Sequence, residues 1–321
     1  MKRIPPALVL YFLAPAIGEL LSGSAPPIEF FNPFGLLLLS ALYGSGAILV
    51  RELALHWEKR WPTILVLGLA YGVIEEGLMV KSFFNPAWQD LGLLGVYGRW
   101  AGVNWVWSLF LTIYHAVYSI TIPIFLVELL YPEQRGERWV EHRGMITLSL
   151  LLLAVVLFGF FFITEYRPPA LPYLVTLVVT VGLYALARRM PSHWWTRRIE
   201  PSVGSLWFGL VGFAGTLVFF FMHWIFPEIG VPVLLTMLTA VLWAWLIIIV
   251  VRYMSGEGGW SDEDKLALVS GALTFFILLA PISELGASRP DNPAGMTLVG
   301  LAALLFLIWL RRKTRRRMSG E

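Results

Sequence analysis

Residues 68–86 read Gly-Leu-Ala-Tyr-Gly-Val-Ile-Glu-Glu-Gly-Leu-Met-Val-Lys-Ser-Phe-Phe-Asn-Pro, an apolar run broken by two adjacent acids. An ionisable side chain at the centre of a membrane span costs roughly 2.5–3.5 kcal/mol or more, so Glu75 and Glu76 mark a candidate site. Residues three or four apart share a helix face, which puts Gly68, Gly72 and Glu76 on one stripe with Tyr71 and Glu75 beside it. Glycines there let a second helix approach closely, so the acids are expected to point into protein and away from lipid. In the following apolar run Asn104, Ser108, Thr112, His115 and Ser119 recur at near-helical spacing. They predict a helix that is polar along one side and lines a site.

The whole chain is of the same character. With 58% hydrophobic and 14% charged residues over 321 positions and a mean hydropathy of +0.72, it carries more apolar surface than a soluble domain can cover. The expected fold is an all-α, polytopic transmembrane helix bundle forming one domain over residues 1–321. Apolar runs long enough for about 30 Å of hydrocarbon fall at 6–22, 34–52, 61–81, 104–131, 144–164, 170–188, 203–225, 231–253, 264–282 and 296–311. They predict about ten spans, or eight with short first and last pieces. The absence of cysteine excludes structural disulfides and thiolate metal sites.

Lys and Arg collect in alternate loops: Lys2 and Arg3; Arg51, Lys59 and Arg60; Arg135, Arg138 and Arg143; Arg188, Arg189, Arg197 and Arg198; Arg252 and Lys265; then the tail from Arg311 to Arg317. The positive-inside rule therefore places both termini in the cytoplasm of a multi-pass protein of the cell membrane. Residues 311–321 read as a basic cytoplasmic tail that touches anionic lipid, with no nucleic-acid partner. The first segment is expected to be retained as a helix and not removed as a signal peptide.

Leu13-Ala14-Pro15, Glu19-Leu20 and Asn32-Pro33-Phe34-Gly35 are echoed by Leu279-Ala280-Pro281, Glu284-Leu285 and Asn292-Pro293-Ala294-Gly295. The first and last helix pairs read as a parallel repeat. Glu19, Glu284 and Arg289 fall near the outer turns and are candidate binding residues at the mouth of a cavity. The longest outer connection, from Ser82 to Val103, carries Trp88, Tyr97, Arg99 and Trp100 and is expected to fold over that mouth. In a later run Gly212, Thr216, Phe219 and His223 share a face, which makes His223 a candidate near its outer end.

Counting about 1.5 Å per residue from each helix end, Glu75, Glu76 and His115 fall at similar depth and are expected to meet, with His223 approaching from above. Two acids and one or two histidines inside a membrane have three uses. They bind a divalent metal such as zinc, with Glu76, His115 and His223 as ligands; they serve as acid and base without metal; or they carry protons or cations. Glu75-Glu76, Phe110 with His115, and His223 resemble the motifs of the CAAX-protease and bacteriocin-processing (CPBP) family of intramembrane proteases. Val80 stands at that family's arginine position with Lys81 one later, Phe110 lies one residue too far from His115, and Pro227 replaces its asparagine. The resemblance implies peptide-bond hydrolysis, with Glu75 or Glu76 activating water and His115 and His223 stabilising the oxyanion or holding metal.

Two other functions fit the residues. One is a transporter or lipid-binding protein with an outward cavity lined by Asn104, Ser108 and Thr112. The other is an assembly subunit whose acids pair with Lys81 or Arg99. Orientation has its own test: single cysteines at Trp88 and Lys59 are expected to react with impermeant reagents from opposite sides of the membrane. Labelling of both from one side would overturn the topology.

Overall fold

A computed structural model describes residues 4–191, 203–255, 260–286 and 291–319. The described chain is mostly helical, with one small hairpin and irregular loops between the helices. In order the elements are α1 (Pro6–Leu21), α2 (Pro27–Phe30), α3 (Pro33–His56), α4 (Trp61–Met79), then β1 (Arg99–Trp100) and β2 (Val103–Asn104). There follow α5 (Trp105–Leu130), α6 (His142–Ile163), α7 (Ala170–Arg189), α8 (Ser205–Glu228), α9 (Val233–Met254), α10 (Asp262–Leu285) and α11 (Met296–Ser319). All ten predicted apolar runs are helices. Eight of them, α3 to α10, are long and apolar enough to cross a membrane. Helix α1 is shorter, and α11 turns basic after Leu310. The protein is an all-α, multi-pass membrane helix bundle.

Burial sorts the helices by the polarity of their sequences. The most apolar windows of α4 and α5 are 78% and 83% buried, against 11% in each of α6, α7 and α9. Helices that expose leucine, valine and phenylalanine to lipid lose nothing by it, whereas a span with acids must turn them inward. The glycines of α4 make that inward packing close: a Cβ on Gly68 would stand 2.8 Å from Ala116 Cα, and one on Gly72 3.0 Å from His115 Cβ. On the far side of the bundle Gly212 of α8 packs on the Leu268 carbonyl of α10, where an added Cβ would be 2.1 Å from the oxygen.

Arg51, read with the loop cations from sequence, lies instead in the last turns of α3, where it is 2% exposed. Its guanidinium donates to Glu52 Oε1 and to the carbonyls of Gln134, Arg135 and Glu137, and lies 3.7 Å over the Trp139 ring. A loop that would otherwise be loose is thereby tied to the helix core. The three Asn-Pro turns are also built alike: Asn32, Asn85 and Asn292 each accept, at Oδ1, a backbone N–H two residues on. The first and last turns thus share a local geometry as well as a sequence.

If the contact between α4 and α5 depends on the missing side chain, Gly68→Val is expected to cost about 1–3 kcal/mol through overpacking. Thermal melting in detergent reads this, and an unchanged melting temperature would mean the two helices are not in this contact.

Candidate functional site

Helices α1, α3, α4 and α5 each leave the regular α repeat for one widened, π-helical stretch: 16–21, 40–44, 73–79 and 115–121. These four stretches carry Glu19, Tyr43, Glu75 with Glu76, and His115 with Ser119. π-Turns insert an extra residue and re-aim side chains, and they cluster at functional sites. A fifth, at 159–163, belongs to α6 and presents the Phe160 carbonyl to Lys81.

The acids and the imidazole meet. His115 Nε2 lies 3.0 Å from Glu76 Oε1; on the other side of the ring Nδ1 lies 3.0 Å from Ser119 Oγ and 3.3 Å from Glu75 Oε2. The Tyr43 hydroxyl bridges Glu19 Oε1 and Glu75 Oε1, and the Ser82 hydroxyl donates to Glu76 Oε2. Ser82 in turn accepts the indole N–H of Trp107 at 3.0 Å. The Tyr71 ring packs beside Tyr43, 5.9 Å between centroids, and occupies the space a side chain at Gly46 would need. Tyr114 donates to the Gly18 carbonyl at 2.6 Å and so holds α1 against α5.

Charge is the unusual feature. Among the described residues no lysine or arginine side chain pairs with Glu19, Glu75 or Glu76. Three carboxylates therefore face at most one imidazolium, in a setting where each uncompensated charge is costly. A group of this kind has the chemistry to share a proton or to take a cation.

Several expectations are corrected. Glu19 does not sit remote at an outer mouth; it reaches Glu75 through Tyr43. Glu284 has a different use, accepting the N–H groups of Gly295 and Thr297 at the start of α11, so the two echoed acids are not equivalent. Arg289 lies outside the described residues. His223 does not join the acids: it donates from Nδ1 to the Phe219 carbonyl at 2.7 Å, and its ring packs on Phe110 at 4.4 Å and Phe219 at 4.7 Å. Those aromatic rings fill the space a converging imidazole would need, so His223 is removed from the metal set.

Lys81 and Arg99 are not counter-ions of the acids. Lys81 is fully buried and donates to the carbonyls of Phe160 at 2.5 Å and Thr164 at 3.0 Å, closing the end of α6. Burial, with the Arg167 charge adding to it, pushes the Lys81 ammonium down to about 8. Its backbone takes φ +63°, a sharp turn that brings Ser82 back beneath Glu76. Arg99 donates to Asn104 Oδ1 at 2.7 Å and to the Phe84 carbonyl at 3.0 Å, and Asn104 donates to the Ser82 and Asn85 carbonyls. Lys81 thus ties the turn after α4 to the end of α6, and Arg99 ties the hairpin to the loop that precedes it.

The polar stripe of α5 is likewise divided. Ser108 and Thr112 line a mainly apolar cavity of about 1070 Å³ between α4, α5, α7, α8, α9 and α10, which Tyr118, Thr121, Thr176 and Thr216 also border, while His115 and Ser119 face the acids. Sequence reasoning missed Tyr43 and Ser82. A tyrosine between small residues in Leu-Tyr-Gly-Ser-Gly was the available signal for the first, since a buried phenol needs a partner.

The profile of a family described as an uncharacterized membrane protein family matches residues 8–223, well over half of the 321. The chain belongs to this family. The matched stretch contains the whole acid and imidazole group, whereas α9, α10 and α11 lie beyond it. No curated protein and no solved structure matches the chain.

The Tyr43 bridge carries a prediction. Tyr43→Phe keeps the ring but strips Glu19 and Glu75 of their shared donor, and is expected to lower stability by about 1–3 kcal/mol. Melting of the purified variant against wild type measures it, and equal stability would show that the bridge is not formed.

Proposed function

We propose that this protein is a membrane-embedded hydrolase of the cell membrane, of the intramembrane peptidase kind, in which Glu76 and His115 together activate water. The observation that carries the reading is the 3.0 Å contact between His115 Nε2 and Glu76 Oε1 across two buried helices, within reach of one shared water. Glu76 is the better base of the two acids because its side chain keeps 11% exposure against 6% for Glu75. Water bound there loses a proton to Glu76 as its oxygen attacks the carbonyl carbon. As the C–N bond breaks, that proton passes to the leaving nitrogen, with His115 as the partner that steadies it. The resemblance of Glu75-Glu76 and His115 to the CPBP motifs supports the same chemistry, without a role for His223.

A transporter draws less support. Its cavity would need to be polar and framed by equivalent acids, whereas the large cavity is apolar and Glu19 and Glu284 have unlike partners. An assembly subunit would pair its acids with cations, and Lys81 and Arg99 bind carbonyls and an amide instead.

The test uses proteoliposomes holding wild type, Glu76→Gln or Glu284→Gln with a panel of quenched-fluorescent transmembrane peptides. Wild type and Glu284→Gln are expected to release fluorescent fragments, and Glu76→Gln to lose about 10²-fold or more of that rate. A Glu76→Gln rate equal to wild type, or no cleavage by wild type across the panel, counts against the reading.

A further inference from the structure

We propose that Glu75, Glu76 and His115 form a binding site for one divalent transition-metal cation, zinc or manganese in class. The proposal deepens the hydrolase reading and rests on the same three side chains.

One donor atom from each residue lies within 4.8 Å of the other two, and the residues are 5%, 8% and 1% exposed. The hydroxyls around them decide which atoms face inward. Tyr43 holds Glu75 Oε1 and leaves Oε2, which is buried and accepts no hydrogen bond, beside the imidazole. Ser82 holds Glu76 Oε2 and leaves Oε1 facing His115 Nε2. Ser119 stands at His115 Nδ1, the arrangement by which a hydrogen bond on one ring nitrogen fixes the other as a ligand. Each of the three side chains is thus tied on its outer atom, while the inner atoms meet only one another: Glu76 Oε1 bonds His115 Nε2, and Glu75 Oε2 accepts no hydrogen bond.

Donor spacing fits a single ion. Two ligands bonded at about 2.1 Å in tetrahedral geometry stand about 3.4 Å apart, close to the 3.0 Å between His115 Nε2 and Glu76 Oε1. A modest turn of the Glu75 carboxylate about its Tyr43 contact brings its free oxygen round from the Nδ1 side. Three protein donors leave a fourth position for water, the pattern of hydrolytic zinc sites.

Charge and donor type select the ion. A divalent cation balances the two carboxylates, whereas a monovalent one leaves an uncompensated charge in a membrane interior. Two oxygens and one imidazole nitrogen, in a chain without cysteine, suit zinc or manganese. Calcium takes six or more oxygens, and copper(I) prefers sulfur.

The experiment measures metal directly. The full chain is purified in detergent with a tag free of histidine, stripped with chelator, and titrated with zinc or manganese chloride while melting temperature and bound metal per chain are recorded. About one ion per wild-type chain and a raised melting temperature are expected, with Glu284→Gln behaving like wild type. Glu75→Gln and Glu76→Gln are each expected to weaken binding at least tenfold. Because an acid variant can fail to fold, cobalt(II) is also added to wild type alone, where visible absorption bands of a four- or five-coordinate oxygen and nitrogen site are expected.

Wild type that binds neither zinc nor manganese and gives no such cobalt bands overturns the proposal, as does full binding by the Glu75→Gln, Glu76→Gln double variant. Hydrolysis is judged separately. A bound ion without peptide cleavage keeps the metal site and removes the hydrolase, whereas full-rate cleavage by protein that binds no metal keeps the hydrolase and removes the metal site.

Discussion

Every oxygen of a carboxylate placed in a membrane interior needs a donor or a positive charge, and the arrangement of the first half of this chain follows from that need. Glu19, Glu75 and Glu76 have no lysine or arginine among the described residues to meet it. The donors come instead from two hydroxyls and one imidazole on neighbouring elements: Tyr43, Ser82 and His115. Each donor lies on a different stretch of backbone, so the acids cannot be satisfied until α1, α3, α4, α5 and the loop after α4 are all assembled. The same requirement that makes the acids expensive makes them organisers of the bundle.

Two local devices allow that assembly. Glycine at 68, 72 and 46 removes the side chains that would keep backbone and ring apart. The widened helical turns then aim the polar residues at one point, at the cost of regular hydrogen bonding within each helix. Neither device works alone: close helices with regular turns would spread Glu75, Glu76 and His115 around their axes, and π-turns on distant helices would leave them facing lipid.

The buried cations show the opposite solution. Arg51 and Lys81 meet backbone carbonyls and aromatic rings far more than acids. A carbonyl is a neutral acceptor that a loop or a helix end has to spare, so these cations pin the 131–141 loop and the end of α6 without drawing on Glu19, Glu75 or Glu76; Arg51 has Glu52 and Glu128 beside it as well. The acids are thereby left free of fixed counter-ions.

Hydropathy and periodicity are local quantities, and what depends on them could be read from the sequence: the all-α membrane bundle, its ten apolar helices, the glycine stripe of α4, and the meeting of Glu75, Glu76 and His115 at matching depth. The Asn-Pro turns were legible for the same reason, since each is closed within a few residues. Tertiary packing decided the rest. Spacing from Asn104 could not show that His115 and Ser119 would face the acids while Ser108 and Thr112 line the apolar cavity. Nor could it show that Phe110 and Phe219 would seal His223 off, or that Tyr43 would draw Glu19 into the site while its echo Glu284 capped a helix. Those outcomes depend on which side chains from distant segments fill the space beside each polar atom, and no window of sequence contains both partners.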